Sequence, residues 1–320
     1  MESLNNNQSN AYELSFHGTG TEYFGIIIVN WLLTVITLGI YYPWARARKM
    51  KYKYGSTGLN GDRFAFHGTG KEMFIGLLKL LIIYLLIMGI FGLFFFVFES
   101  LIWGILILYL VFFAIVPLAI HGAFRYRMSR TSWRGIRFGY RGKKKELILK
   151  FLKWTFFTII TLGIYSAWMA VNLREYVINH LRMGDIEGKY RANGLDLFAL
   201  NLKGYFLSVF TFGIYSFWWQ RDLFAFYIDN ISLHKEERII QLFSTATGGG
   251  FFKLIVLNFI IVVFTLGLGY AWAEIRTMRF VVNNIKLTGD IDLSLLQQTE
   301  ENYNDAMGEG AADFFDIDLI

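Results

Sequence analysis

An eight-residue segment, Thr37-Leu38-Gly39-Ile40-Tyr41-Tyr42-Pro43-Trp44, returns three times along the chain as variants at residues 161–168, 211–218 and 265–272. Each copy closes an apolar run and is followed by a polar stretch carrying Arg. A unit that recurs at such intervals is the signature of a repeat architecture, in which neighbouring copies stack to bury a shared core. The apolar runs are too continuous for one face of a soluble helix. Composition agrees: 55% of the 320 residues are hydrophobic and 18% charged, against about 45–50% and about 25% in soluble domains. With 32 Phe, 18 Tyr and 9 Trp, the chain is suited to a bilayer, where Phe faces lipid and Trp or Tyr sits at headgroup level. The expectation is a repeat protein built in a membrane.

Charge is unevenly placed. The net charge is +6, yet residues 300–320 hold Glu300, Glu301, Asp305, Glu309, Asp313, Asp316 and Asp318 with no base. The surplus Lys and Arg elsewhere read as orientation signals and contacts to anionic lipid, not as a nucleic-acid surface, which would need a soluble basic face. Without cysteine, disulfides, thiolate metal sites and Cys nucleophiles are excluded. Met1–Asn10 is polar and lacks a basic start followed by an apolar core, so a cleavable signal peptide is not expected.

In chain order, Phe16-His17-Gly18-Thr19-Gly20 recurs as Phe66-His67-Gly68-Thr69-Gly70. Thr19 with Glu22, and Thr69 with Glu72, have the spacing of a helix capping box. The short alternating runs before them have strand period. The unit therefore reads as strand, glycine turn, capped helix. Phe24–Tyr41 is the first expected span, and Arg46, Arg48, Lys49, Lys51 and Lys53 after it mark an interfacial or cytoplasmic helix. The second unit holds 23 extra residues between Gly76 and Pro117 relative to Gly25 and Pro43, which predicts a helical hairpin of 74–98 and 101–120. Five units result: 11–63, 64–135, 136–190, 191–238 and 239–299, with 300–320 as an acidic tail. One crossing per unit, however, puts basic residues 172–203 on the outer side. The alternative is that the Thr-x-Gly-Ile-Tyr motif turns some helices back as re-entrant elements. The fold expected is an all-α polytopic membrane protein of about six transmembrane helices in strand–helix repeats, whose short strands can form a small sheet at one membrane face.

The pairing of Phe-His-Gly-Thr-Gly with Thr-Leu-Gly-Ile-Tyr-Tyr-Pro-Trp-Ala-Arg, then Gly61-Asp62-Arg63-Phe64 leading into the second Phe-His-Gly-Thr-Gly, resembles the YjgN-like family of bacterial multipass inner-membrane proteins, a domain of unknown function. The resemblance implies a bacterial inner-membrane location and supplies no reaction, substrate, cofactor or site residue.

Candidate sites are few. Gly18, Gly20, Gly68 and Gly70 fit neither a P-loop nor a dinucleotide fingerprint and read as turn glycines. His17 and His67 lack further ligands at metal spacing. Polar residues inside apolar runs, Asn30, Lys79, Lys150, Lys153, Asn172 and Asn258, are intramembrane candidates, with cross-helix bonding or snorkelling as the structural account. Arg46, Arg174, Arg221 and Arg276, one after each motif, are candidate headgroup or anion contacts. No catalytic group, metal ligand or cofactor site is expected. The leading functional expectation is binding or passage of a small solute or ion between the repeats. The alternative is a lipid-binding or scaffold protein acting through its basic interfacial helices, with anionic lipid as partner.

Overall fold

The structure, a computed structural model, describes residues 10–97 and 101–299. The repeating unit is a strand, two antiparallel helices and a returning strand. The first unit runs β2 (Leu14–Phe16), α1 (Gly20–Ile36), α2 (Tyr42–Ser56) and β3 (Thr57–Leu59). The second is β4 (Asp62–Phe66), α3 (Gly70–Gly92), α4 (Leu101–Ser129) and β5 (Thr131–Trp133). The third is β6 (Ile136–Tyr140), α5 (Lys144–Ile160), α6 (Ser166–Asn179) and β7 (Leu181–Met183), and the fourth is β8 (Ile186–Tyr190), α7 (Gly194–Phe210), α8 (Ser216–Asp229) and β9 (Ile231–Lys235). The fifth comprises β10 (Arg238–Ser244), α9 (Gly248–Phe264), α10 (Tyr270–Asn283) and β11 (Ile285–Gly289), and β1 (Asn10–Tyr12) precedes them all.

All eleven described strands join one antiparallel sheet, ordered β1-β11-β10-β9-β8-β7-β6-β5-β4-β3-β2. Its two ends, β1 and β2, are halves of one extended segment separated only by Glu13. The sheet thus closes on itself into a barrel. The first half of that segment pairs with the last repeat (Tyr12↔Leu287) and the second half with the first repeat (Leu14↔Leu59). Opposed residues share a face, and the inward pairs are apolar: Phe64↔Trp133, Phe138↔Met183, Leu242↔Leu287. The outward pairs are polar, as in Arg182↔Glu187 and Lys189↔Ser232. This alternation is the period-2 pattern of a half-buried strand. Tight turns such as Asn60-Gly61 and Arg134-Gly135, with positive φ at both residues, join successive units at one end of the barrel.

Helices leave from the other end and form a closed ring, each pair packed on the next and α10 on α1. The repeated motif is the hairpin turn. Thr37 Oγ1 donates to Leu33 O at 2.7 Å and accepts from Tyr41 N at 3.0 Å, while Gly39 N reaches Thr34 O at 2.7 Å. The last is the six-to-one bond of a Schellman helix end. Threonines 161, 211 and 265 repeat the double bond. Two left-handed residues in a row, Leu38 (φ 49°) and Gly39 (φ 92°), reverse the chain.

These turns overturn the expectation of an all-α fold with about six transmembrane helices. Four of the apolar runs end at a described reversal, and both ends of every helical hairpin return to the barrel. Among the described residues, two helices are long and apolar enough to cross a membrane, Gly70–Phe96 and Ile102–Ser129. They are the hairpin lengthened by the 23 extra residues. At ~1.5 Å per residue, a helix such as α1 reaches about 25 Å and the long pair about 40 Å. The short strands form not a small sheet but a barrel to which every repeat contributes. The expected turn at Glu99-Ser100 and the acidic tail lie outside the described residues.

Candidate functional site

Where α10 of the last repeat meets α1 and α2 of the first, a cleft of about 270 Å³ opens between the helices. The face of α2 that lines it carries Tyr42, Arg46, Lys49 and Lys53, whose spacing of four, three and four residues puts them on one side of a helix. From α1 come Asn30, Trp31 and Thr34, and from α10 Tyr270 and Glu274. Asn30 is 2% exposed. Its amide Nδ2 donates to Ala45 O at 3.1 Å, and its Oδ1 is buried without a partner. Lys53 Nζ lies 2.5 Å from Glu274 Oε1, and Glu274 Oε2 is likewise buried and unpaired. Arg46 Nη1 stands 3.5 Å from the Tyr42 hydroxyl.

Three cations therefore face one carboxylate across a cleft walled by the exposed aromatics Trp31, Tyr42 and Tyr270. Arg offers a planar fork and Lys a point charge to phosphate oxygens. The arrangement can hold a phosphate-bearing group against Arg46 and Lys49, while Lys53 and Glu274 are paired with each other. Arg46 and Asn30, both singled out in the sequence, meet here. The sequence marks Lys49 and Lys53 as cations of an interfacial helix without assigning them to a site, and it does not single out Glu274, the single acid of α10.

The remaining candidates lie elsewhere. Asn258 donates to Ala273 O at 3.3 Å and meets Thr277 Oγ1 at 2.9 Å. It thereby repeats, fifteen residues apart, the Asn30–Ala45 bond of the first hairpin, so both amides fasten one helix to its partner. Asn172 lies 3.5 Å from the Tyr165 hydroxyl. Lys79 and Lys153 are exposed on α3 and α5, and Lys150 is paired with Glu146 at 2.9 Å. Arg174 is buried against the rings of Tyr227 (4.3 Å) and Tyr190 (5.7 Å). Burial raises both phenols above their usual range, and the guanidinium opposes it. Arg221 pairs with Asp222 at 3.1 Å, and Arg276 is half-buried on α10. The four arginines do not occupy equivalent positions in their repeats. His17 and His67 each meet a different serine, Ser15 at 3.0 Å and Ser132 at 2.8 Å.

The glycines read as turn formers have another role. A Cβ on Gly70 would fall 2.4 Å from Trp44 Cδ1; Gly194 has the same relation to Trp168, Gly248 to Trp218 and Gly20 to Trp272. The motif's Trp in one repeat thus lies on the first helical residue of the next. The junction from the second to the third repeat lacks both partners, with Leu118 in place of Trp and Lys144 in place of Gly.

The model of a family described as bacterial proteins of unknown function (DUF898) matches residues 11–203 and 219–314. Among curated proteins, the chain is similar to the inner membrane protein YjgN of Salmonella typhimurium, 36% identical over 143 residues that make up 43% of this chain and 33% of that protein. It is also similar to the protein of the same name from Escherichia coli, 33% identical over 135 residues, 42% of this chain and 32% of that protein. The matched segment spans about a third of the length of these curated relatives. No solved structure matches significantly.

Proposed function

The chain belongs to this family of bacterial proteins, and from that premise we propose that it is a lipid-binding inner-membrane protein that sinks its helical hairpins into the bilayer from one side and holds anionic headgroups in the cleft at the α10–α1 junction. It acts as a binding protein and not as an enzyme. The observation that carries this reading is the four hairpin apices. Leu38, Leu162, Phe212 and Leu266 are between 93% and 97% exposed, and each sits at a φ near +50°. Left-handed backbone costs an ordinary side chain roughly 1–2 kcal/mol, and glycine would avoid it. A large apolar residue held in that conformation, fully exposed, is doubly unfavourable in water. Hydrocarbon around the apex removes the second penalty and gives the side chain a use.

The same placement resolves the charge problem. With both ends of each hairpin at the barrel, Arg182, Lys189 and Arg191 share one side with Arg48 and Lys51, and the positive-inside rule puts that side in the cytoplasm. Passage of an ion finds less support, because the space enclosed by the strands is apolar.

The cysteine-free sequence allows a direct test. Single Cys substitutions at Leu38, Leu162, Phe212 and Leu266, carrying an environment-sensitive fluorophore, are expected to be quenched by lipids spin-labelled on the acyl chain. A label at Glu236, in the β9–β10 turn, is expected to be quenched by aqueous iodide. Iodide quenching at the apices sinks the proposed placement. For the cleft, Lys49→Ala with Lys53→Ala is expected to lower retention of phosphatidylglycerol over phosphatidylcholine in native mass spectra; unchanged selectivity removes the headgroup assignment.

A further inference from the structure

The middle of the barrel is hollow. A cavity of about 260 Å³ lies between residues of nine strands and the ends of α4 and α6, and its wall is almost wholly apolar. Leu14, Phe64, Phe138, Leu233 and Leu242 line it and are only partly covered, although they point into the protein. Arg182 also borders it. Its guanidinium is turned to Asn179 O at 3.1 Å, Leu181 O at 2.9 Å and Glu187 Oε1 at 3.1 Å. The wall therefore offers no charge, and the complementary group is uncharged hydrocarbon. An apolar cavity of about 150 Å³ stays dry and accepts benzene. This one is larger and runs between strands, so its complement is a longer, flexible chain.

The two ends of the barrel differ. At the turn end the segment after β11 crosses the opening, with Ile291 and Leu293 buried in the barrel core. The Tyr12 hydroxyl donates to Ile291 O at 2.5 Å, Gln297 N to Asp185 Oδ1 at 3.3 Å and Thr299 Oγ1 to Gly184 O at 2.5 Å. That strap ties the first strand, the β7–β8 turn and the end of the last repeat together over the opening. At the helix end the border is Met128, from the end of α4, and Ile178, from α6, and α4 is one of the two helices apolar enough to span.

We propose that the barrel is a binding chamber for a linear acyl chain, received tail-first from the membrane side and stopped by the strap. Only the side of entry rests on the membrane placement argued above; the chamber itself does not. The chain can come from a free fatty acid or from a phospholipid, and two probes separate these sources: palmitate carrying a mid-chain diazirine, and phosphatidylglycerol carrying the same tagged chain.

The full chain in phosphatidylcholine nanodiscs would be irradiated with each probe, and adducts mapped by peptide mass spectrometry. Adducts are expected on β6, β9 and β10 at Phe138, Leu233 and Leu242. Excess untagged palmitate, or the untagged phosphatidylglycerol, should displace them. Leu233→Trp and Leu242→Trp, which fill the chamber, should each reduce them at least about tenfold while the protein elutes unchanged. The probe that labels the strands identifies the source. Adducts at the hairpin apices with none on the strands overturn the chamber and leave the membrane placement standing. Strand adducts that neither competitor displaces and neither substitution reduces overturn it equally. Absence of apex adducts alone would count against the membrane placement.

Discussion

Gly70 needs no unusual backbone angle; what it needs is the absence of a Cβ, because Trp44 occupies that space. Gly70→Ala should therefore destabilise the protein by about 1–3 kcal/mol, the usual range for overpacking. Trp44→Phe should relieve part of that loss, so that a thermal double-mutant cycle returns a coupling and not a sum. A second residue-scale prediction concerns His234. Burial, reinforced by Lys189 and Arg191 and opposed by Glu187, lowers its pKa below 6.5. Protons thus bind the unfolded chain more readily than the native one. This stability is present above about pH 6.5 and is lost as pH falls through the native pKa. His234→Gln should flatten the denaturation midpoint between pH 7 and pH 5, and an unchanged slope counts against it. Residue identity was legible in the sequence where chemistry is local. Thr69 and Glu72 form the reciprocal capping box that their spacing announces. At Thr19 the Tyr52 hydroxyl intervenes, taking the Thr19 amide hydrogen and donating to Glu22. A contact from thirty residues away leaves no local mark.

The helical hairpin is the element on which the sequence misled. Its apolar run continues through the turn because the apex residue is Leu or Phe, where a soluble hairpin would show polar turn residues, so hydropathy reports one crossing where the backbone reverses. The Thr and Gly of the motif carried the missing information. Thr161→Val removes one bond to Phe157 O and one from Tyr165 N, and should cost about 1–2 kcal/mol, read as a lowered thermal midpoint. Phe212→Asp tests the surroundings of the apex. A carboxylate deep in hydrocarbon costs about 2.5–3.5 kcal/mol on insertion scales, so the midpoint of nanodisc-embedded protein should fall. Leu295→Asp, on the exposed strap, should leave it unchanged. Equal effects at both positions would deny the apex a lipid environment.

For the whole molecule, recurring motifs are legible in the sequence, whereas the barrel is not. Its strands are three to seven residues long, and each except β1 pairs across a helical hairpin of about forty residues or more with a partner that no local pattern identifies. Closure is the property most open to test. Ala11 faces Thr288 across the seam, and the chain has no native cysteine. Ala11→Cys with Thr288→Cys should oxidise to one intramolecular disulfide and raise the thermal midpoint; failure to oxidise would place the first strand elsewhere.

The divided strand at Glu13 bears on how the protein is made. Tyr12 leaves the ribosome almost three hundred residues before its partner Leu287. During that interval the first half-strand and each newly made outer strand present open hydrogen-bonding edges. A chain cut short before Ile285 could not satisfy either edge by itself. Two such fragments could complete one another, so premature termination should yield interlocked dimers where the finished protein yields a ring that leaves nothing to exchange.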